Sequence, residues 1–205
     1  GKPSMSYASG FSFSQAPTYS NYNLMNSAQR IDVSREIYAR NLGYNQSYNN
    51  VDRLGYEGAL MNLWDGTYTQ QQFQDKVSYL ETLNSDWFQA LYRNSFTQTH
   101  SLSASGGSTN ARYYFSLGYD DQKGTERNVG LNRLTARSNI DLDIRPNVLV
   151  SFKLNGSVQK AHYNHSSTNA FDTAYYTSRT IPIYNEDGRY FMQSQQIAAA
   201  DSYGG

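Results

Sequence analysis

The chain has no cysteine, few prolines, no net charge and no long apolar run. The first absence excludes a disulfide framework and thiolate chemistry. With 17 basic against 17 acidic residues, no long-range field points to nucleic acid or a polyanionic surface. No apolar run exceeds four residues (Ile197 to Ala200), so no transmembrane helix is present in the sequence. The mean hydropathy of −0.72 reads as soluble, but a transmembrane barrel hides its membrane signal in alternation, which averages out. At 205 residues, the chain is long enough to bury a core as one domain. No signal peptide is visible, and both ends (Gly1-Lys2-Pro3 and Tyr203-Gly204-Gly205) read as cut.

What is abundant is tyrosine, 19 in all. Its flat apolar ring and polar tip suit membrane interfaces, sugar- or peptide-binding surfaces and the core of a soluble β-protein alike. Alternation narrows the choice. From Arg133 to Ile144 and from Val148 to Gln159, one face reads Leu134, Ala136, Ser138, Ile140, Leu142, Ile144, then Val148, Val150, Phe152, Leu154, Gly156, Val158. The other reads Arg133, Thr135, Arg137, Asn139, Asp141, Asp143, then Leu149, Ser151, Lys153, Asn155, Ser157, Gln159. A period of two means strands, because successive Cβ atoms point to opposite faces. Pairing Ile144 with Val148 across Arg145-Pro146-Asn147 brings the two apolar faces together.

Five strands follow, at about 4–15, 95–106, 112–120, 133–144 and 148–159. The first sets Met5, Tyr7, Phe11 and Phe13 against serines; the second carries an unbroken hydroxyl face from Ser95 to Ser105; the third shows Tyr113, Phe115, Leu117 and Tyr119. Pairing Leu102 with Phe115 predicts a turn at Gly107-Ser108-Thr109-Asn110. The long segment 16–94 holds a helix from Asn26 or Ser27 to about Leu42, stopped by Gly43. A second starts at a Thr69/Gln72 capping box, with Phe73, Val77 and Leu80 at helical spacing, and a short turn of helix follows at Asp86 to Tyr92. Short connections thus alternate with long ones, 16–94 and 160–205 being the longest. Outer-membrane barrels do this systematically and sandwiches do not. The expected fold is mainly β: antiparallel strands of a transmembrane β-barrel wall with a long, partly helical extracellular loop. Five strands cannot close a barrel, so the sequence reads as an incomplete piece of one.

Asp86-Trp87-Phe88-Gln89-Ala90-Leu91-Tyr92-Arg93, then Thr97-Gln98-Thr99-His100-Ser101-Leu102-Ser103-Ala104-Ser105-Gly106-Gly107, then Tyr113-Tyr114-Phe115-Ser116-Leu117-Gly118-Tyr119 with Gln122 and Gly124, form a distinctive string. So do the alternation Arg133, Arg137, Asn139, Asp141 and the run Pro182 to Tyr190. Together, over about residues 1 to 190, they resemble the SusC/RagA family of TonB-dependent outer-membrane transporters. The resemblance implies a 22-stranded barrel with an N-terminal plug, of which this chain holds the first strands after the plug, the plug domain itself being absent. It also implies import of oligosaccharides or peptides, a SusD-like surface lipoprotein as partner, and the TonB complex reached through parts outside this chain. The location it implies is the outer membrane of a Gram-negative bacterium, in contact with its lipid. A soluble β-rich carbohydrate-binding module and a surface adhesion domain are the alternatives.

No enzyme site emerges: no catalytic residue, no metal set and no cofactor. His162 and His165 have an H-x-x-H spacing but no third ligand nearby. His100 has no nucleophile elbow or orienting carboxylate, and alternation points it outward with Leu102, beside a neighbouring tyrosine or above the hydrocarbon. Tyr184 to Gly188 lacks full calcium-loop spacing and reads as an Asp-Gly turn. The charges Arg133, Arg137, Asp141, Asp143 and Lys153 are expected to face inward as a ladder of ion pairs lining the lumen or contacting the plug. Candidate contacts to substrate or partner are the loop aromatics Trp64, Tyr68, Trp87, Tyr175 and Tyr176, whose alternative role is to hold the loops together.

Overall fold

A computed structural model describes residues 2–42, 53–164 and 169–191. The chain divides into two units, one of residues 1–16 and 91–168, the other of 17–90 and 169–205.

The first unit is an open antiparallel meander in sequence order: β1 (Ser4–Ser14), β2 (Ser95–Gly107), β3 (Ala111–Lys123), β4 (Gly130–Arg145) and β5 (Val148–His162). Its register stacks residues of one character in rows. One row joins Tyr7, Leu102, Leu117, Ala136 and Gly156; the next polar row joins Ala8, Ser101, Gly118, Thr135 and Ser157. One face is therefore apolar along every strand and the other is built from hydroxyls, amides and charges. The apolar face is open to its surroundings, Met5 being 75% and Val158 74% exposed.

Two expected pairings shift. Leu102 pairs with Leu117, not Phe115, and Gly107 with Arg112, which shortens the turn to Ser108-Thr109-Asn110, closed by a Ser108 N–H to Ala111 carbonyl bond of 2.7 Å. A slip of two residues keeps every side chain on its face, so alternation alone does not distinguish the two registers. Tyr113 supplies the missing information. Its ring lies over Gly106, where a Cβ would stand 2.7 Å from the ring Cζ. At the other turn, the expected pairing continues to Asp143 and Leu149, but Arg145 then pairs with Val148 across a bulge, leaving Ile144 without that partner.

The second unit is helical: α1 (Ser27–Ala39), α2 (Gly55–Trp64), α3 (Gln70–Leu83), α4 (Trp87–Leu91) and α5 (Ala170–Tyr176). Both expected capping boxes form, Asn26 with Gln29 and Thr69 with Gln72. The first helix ends at Ala39, short of Leu42, with Asn41 in the left-handed region (φ 53°), and Gly43 lies outside the described residues. Ile31, Tyr56, Leu60, Val77 and Leu80 form the core, with Phe73 packed against it. Helices α2 and α5 lie in stretches expected to be loop. The first has no side-chain cap and begins Gly-Tyr-Glu-Gly, a weak helix signal. Gly58 is required there, because a Cβ would run into the Arg53 backbone.

Candidate functional site

Seen from the polar face of the sheet, β2 to β5 enclose a shallow hollow of about 550 Å³ lined by Ser101, Tyr114, Arg133, Thr135, Arg137 and Asn155, among others. The charges on this face do not form the expected ladder. Arg133 donates from Nε and Nη2 to one Asp120 oxygen (2.9 and 2.7 Å), and Asp143 is 3.3 Å from Arg112, so both ion pairs reach back to β3. Arg137 donates instead to Asn155 Oδ1 (3.0 Å), and Asp141 accepts from the Ser151 hydroxyl (2.7 Å). The reason is register: β5 opposes these residues with Ser151, Lys153 and Asn155 rather than with acids.

The apolar face carries His100 where alternation placed it. Its Nδ1 is 2.7 Å from the Tyr7 hydroxyl, its ring lies 6.1 Å from that of Tyr7 and 6.5 Å from that of Tyr119, and Phe11 meets it edge-on at 5.8 Å. Polar residues share the row of Phe11: its register partner Gln98 donates to Asp121 (3.2 Å), and the row continues through Asn132 to Lys160.

The loop aromatics separate into packed and free. Trp87 donates from Nε1 to the Ser178 carbonyl (3.2 Å) and is partly buried, so it fastens chain segments together. Tyr175 stacks on Phe171 at 5.6 Å and meets Tyr22 edge-on at 5.8 Å, in a cluster that includes the fully buried Phe88. Tyr68 is half-buried. Trp64 is 55% exposed beside Tyr38, and Tyr176 is 78% exposed. These last two retain free ring surface. The same unit holds a feature that sequence reasoning read only as a turn: Tyr184 and Tyr190 stack at 5.2 Å across a hairpin whose Gly188 has φ 74°. Of the two spaced histidines, His162 ends β5 and His165 lies outside the described residues.

The segment 86–93 also has a structural explanation. Asp86 accepts from the Gln89 N–H (2.8 Å), opening α4. Arg93 clamps the β3–β4 connection, donating to the carbonyls of Gly124 (3.3 Å) and Val129 (3.1 Å) while its own N–H bonds the Thr125 carbonyl (2.8 Å).

No family model matches the chain. Among curated proteins it is similar to TonB-dependent receptor P26 of Formosa agariphila, 33% identical over 107 residues (52% of this chain, 10% of that protein). It is also similar to TonB-dependent receptor SusC of Bacteroides thetaiotaomicron, 29% identical over 125 residues (60% of this chain, 12% of that protein). In sequence the chain is thus similar to the SusC/RagA family of TonB-dependent receptors. The fold agrees: the solved RagAB peptide transporter superposes with a TM-score of 0.61 at 21% identity, covering 93% of this chain and 22% of that one. The RagAB peptide importer in its open-open state gives the same score at 23% identity, covering 94% and 22%. The chain spans about a tenth of the curated relatives it matches. Its five-stranded antiparallel sheet is open, and its fold, mainly β with helices, matches part of RagAB.

Proposed function

We propose that this chain forms wall and loop of an outer-membrane, TonB-dependent importer of oligosaccharides or peptides, working with a SusD-like surface lipoprotein. The observation that carries this reading is the two-faced sheet. On β4 the outward residues Leu134 to Ile144 cover 11 positions. At ~3.4 Å per residue and a tilt of ~45°, that is a band of ~24 Å, close to the apolar height of barrels in the outer membrane. A soluble carbohydrate module would leave this face as a broad exposed apolar patch.

In this reading Tyr7, Phe11, His100 and Tyr119 belong to the interfacial aromatic girdle, and the polar residues Gln98, Asp121, Asn132 and Lys160, in the row of Phe11, mark the outer edge of the hydrocarbon. The short turns at 108–110 and 146–147 face the periplasm, and the connections at the other end of the strands face outward. The reading of the solute as an oligosaccharide or a peptide is supported by the similarity to RagAB, a peptide importer.

The test is sidedness in the intact protein. Single cysteines at Thr109 and Asn147 should resist an impermeant maleimide on whole cells, whereas one at Asn164 should react. Reaction at the short turns would reverse the topology. Recovery of the protein from the soluble fraction would overturn the membrane reading altogether.

A further inference from the structure

The polar face carries an uneven distribution of charge, and from it we infer that Arg137 and Lys153 form a subsite for an oxyanion, a carboxylate or sulfate group, on the inner wall. This rests on the reading of that face as the lumen. The acids of the face are each engaged: Asp120 by Arg133, Asp143 by Arg112, and Asp141 by the Ser151 hydroxyl. Among the described residues Arg137 has no acidic partner, and its one side-chain bond, from Nε to Asn155, leaves both terminal nitrogens free. Lys153 has no hydrogen bond or ion pair among them.

The two cations are neighbours. Arg137 pairs in register with Asn155, and Lys153 pairs with Asn139, the next polar-face residue along β4. They are therefore diagonal partners on one face, at the ~7–8 Å spacing that long side chains bridge. Two like charges at that spacing repel unless an anion lies between them.

Asn155 turns a loose side chain into a receptor. By holding Nε, it fixes the plane of the guanidinium and leaves the terminal nitrogens to face a ligand, the geometry in which arginine binds planar oxyanions. The hollow beside Arg137 is lined by Ser101, Ser116, Thr135 and Ser157, hydroxyls suited to a polar solute, and by no acidic residue. Asp141, the diagonal acid on the far side of Lys153, accepts from the Ser151 hydroxyl and forms no ion pair with Lys153 among the described residues.

The oxyanion has two possible sources: a passing solute, or an acidic side chain from another part of the same transporter. Phenylglyoxal labelling of Arg137 in the intact, detergent-solubilised protein, read by peptide mass spectrometry, distinguishes them. If the solute supplies the anion, Arg137 reacts, and sulfate slows the reaction about tenfold relative to chloride at equal ionic strength. Lys153→Gln then removes most of that protection, whereas Lys160→Gln, on the apolar face, does not. If another part of the transporter supplies the acid, Arg137 is unreactive and Arg137→Gln with Lys153→Gln lowers the melting temperature by about 2 °C or more. Reaction without sulfate protection overturns the subsite. So does an unreactive Arg137 whose double variant melts unchanged or higher. Failure of the import reading would show separately, as loss of the protein from the outer-membrane fraction, with the labelling of the purified protein unaffected.

Discussion

Ser27 and Asn84 cap each other: the Ser27 N–H donates to Asn84 Oδ1 and the Asn84 N–H donates to Ser27 Oγ, both at 3.0 Å. The first residue of α1 is thereby tied to the left-handed residue that ends α3 (φ 42°). One asparagine serves both helix ends, because its short amide accepts at a helix start and its backbone tolerates the left-handed region. Asn84→Ala should cost about 1–2 kcal/mol, losing an acceptor at a fully buried partner and adding strain at positive φ. Asn84→Gly keeps the conformation and should cost less. Hydrogen exchange of α1 and α3 amides in the two variants measures the difference; equal protection would assign the helix pairing to the apolar core alone.

On the apolar face of the sheet, Tyr7 and His100 are two polar groups that satisfy one another. Removing one partner deprives the other of this bond, whereas replacing both with apolar groups can be nearly neutral. Tyr7→Phe should therefore destabilise the folded barrel by about 1 kcal/mol or more, and Tyr7→Phe with His100→Leu should recover most of that loss. Urea unfolding in lipid vesicles reads both. A double variant worse than either single one would show that the pair works through some other contact.

How much of this was legible in the sequence follows from periodicity. The strands and their faces are readable because alternation survives without any knowledge of partners, and it places His100 outward, beside a tyrosine that the sequence does not single out. That tyrosine, Tyr7, is 93 positions away. Helices α1 and α3 announced themselves through Asn26/Gln29 and Thr69/Gln72. Helix α2 did not, since its existence depends on Tyr56 and Leu60 entering a core contributed by α1 and α3. Pairing across strands was the weakest inference: a shift of two residues conserves hydropathy, and only the Tyr113–Gly106 contact discriminates. The ion-pair ladder is missing for a different reason: β5 opposes β4 with Ser151, Lys153 and Asn155, and the ion pairs of β4 run to β3.

Strand β4 offers the most direct test of the two faces. Ile140 pairs with Phe152 on the apolar side, and its neighbour Asn139 pairs with Lys153 on the polar side. Ile140→Arg should cost about 2–4 kcal/mol if that position meets lipid near the midplane. Asn139→Arg should be far milder, its charge remaining in a hydrated setting. Heat-modifiable mobility of the folded protein compares them, and equal damage from both would mean that the faces do not differ in environment.

The Asp65 carboxylate predicts a local acid transition. Hydrogen bonds from Thr67, first the side chain and then the backbone N–H (3.0 Å), together with Arg53, lower its pKa from 3.8 to about 2. A depressed carboxylate contributes stability that is complete above the unfolded pKa and is lost as pH falls through the folded one. The turn joining α2 to α3 should thus keep its protection down to about pH 4 and loosen between there and about pH 2. Thr67→Val and Arg53→Gln should each move the transition upward in pH. Amide exchange at Tyr68 follows it, and a midpoint unmoved by either change would rule Asp65 out as its origin.

Loop aromatics give the functional prediction, and the structure sorts them by how much ring surface is left over. Trp64 and Tyr176 expose most of theirs, whereas Trp87 spends its indole N–H on the Ser178 carbonyl. If the loops meet solute or the surface lipoprotein, Trp64→Ala with Tyr176→Ala removes anchors that polar residues do not replace, at a cost of about 2 kcal/mol, roughly thirtyfold in affinity. The fold should be unaffected, because neither ring is buried in the core around Ile31 and Leu60. Trp87→Ala should do the reverse, destabilising the helical unit by removing the indole bond to the Ser178 carbonyl and leaving a gap beside α4. Lipoprotein association and solute binding of the intact transporter, set beside its melting temperature, separate the two classes. Unchanged affinity in the Trp64/Tyr176 double variant would assign binding to other parts of the protein and leave these rings as surface.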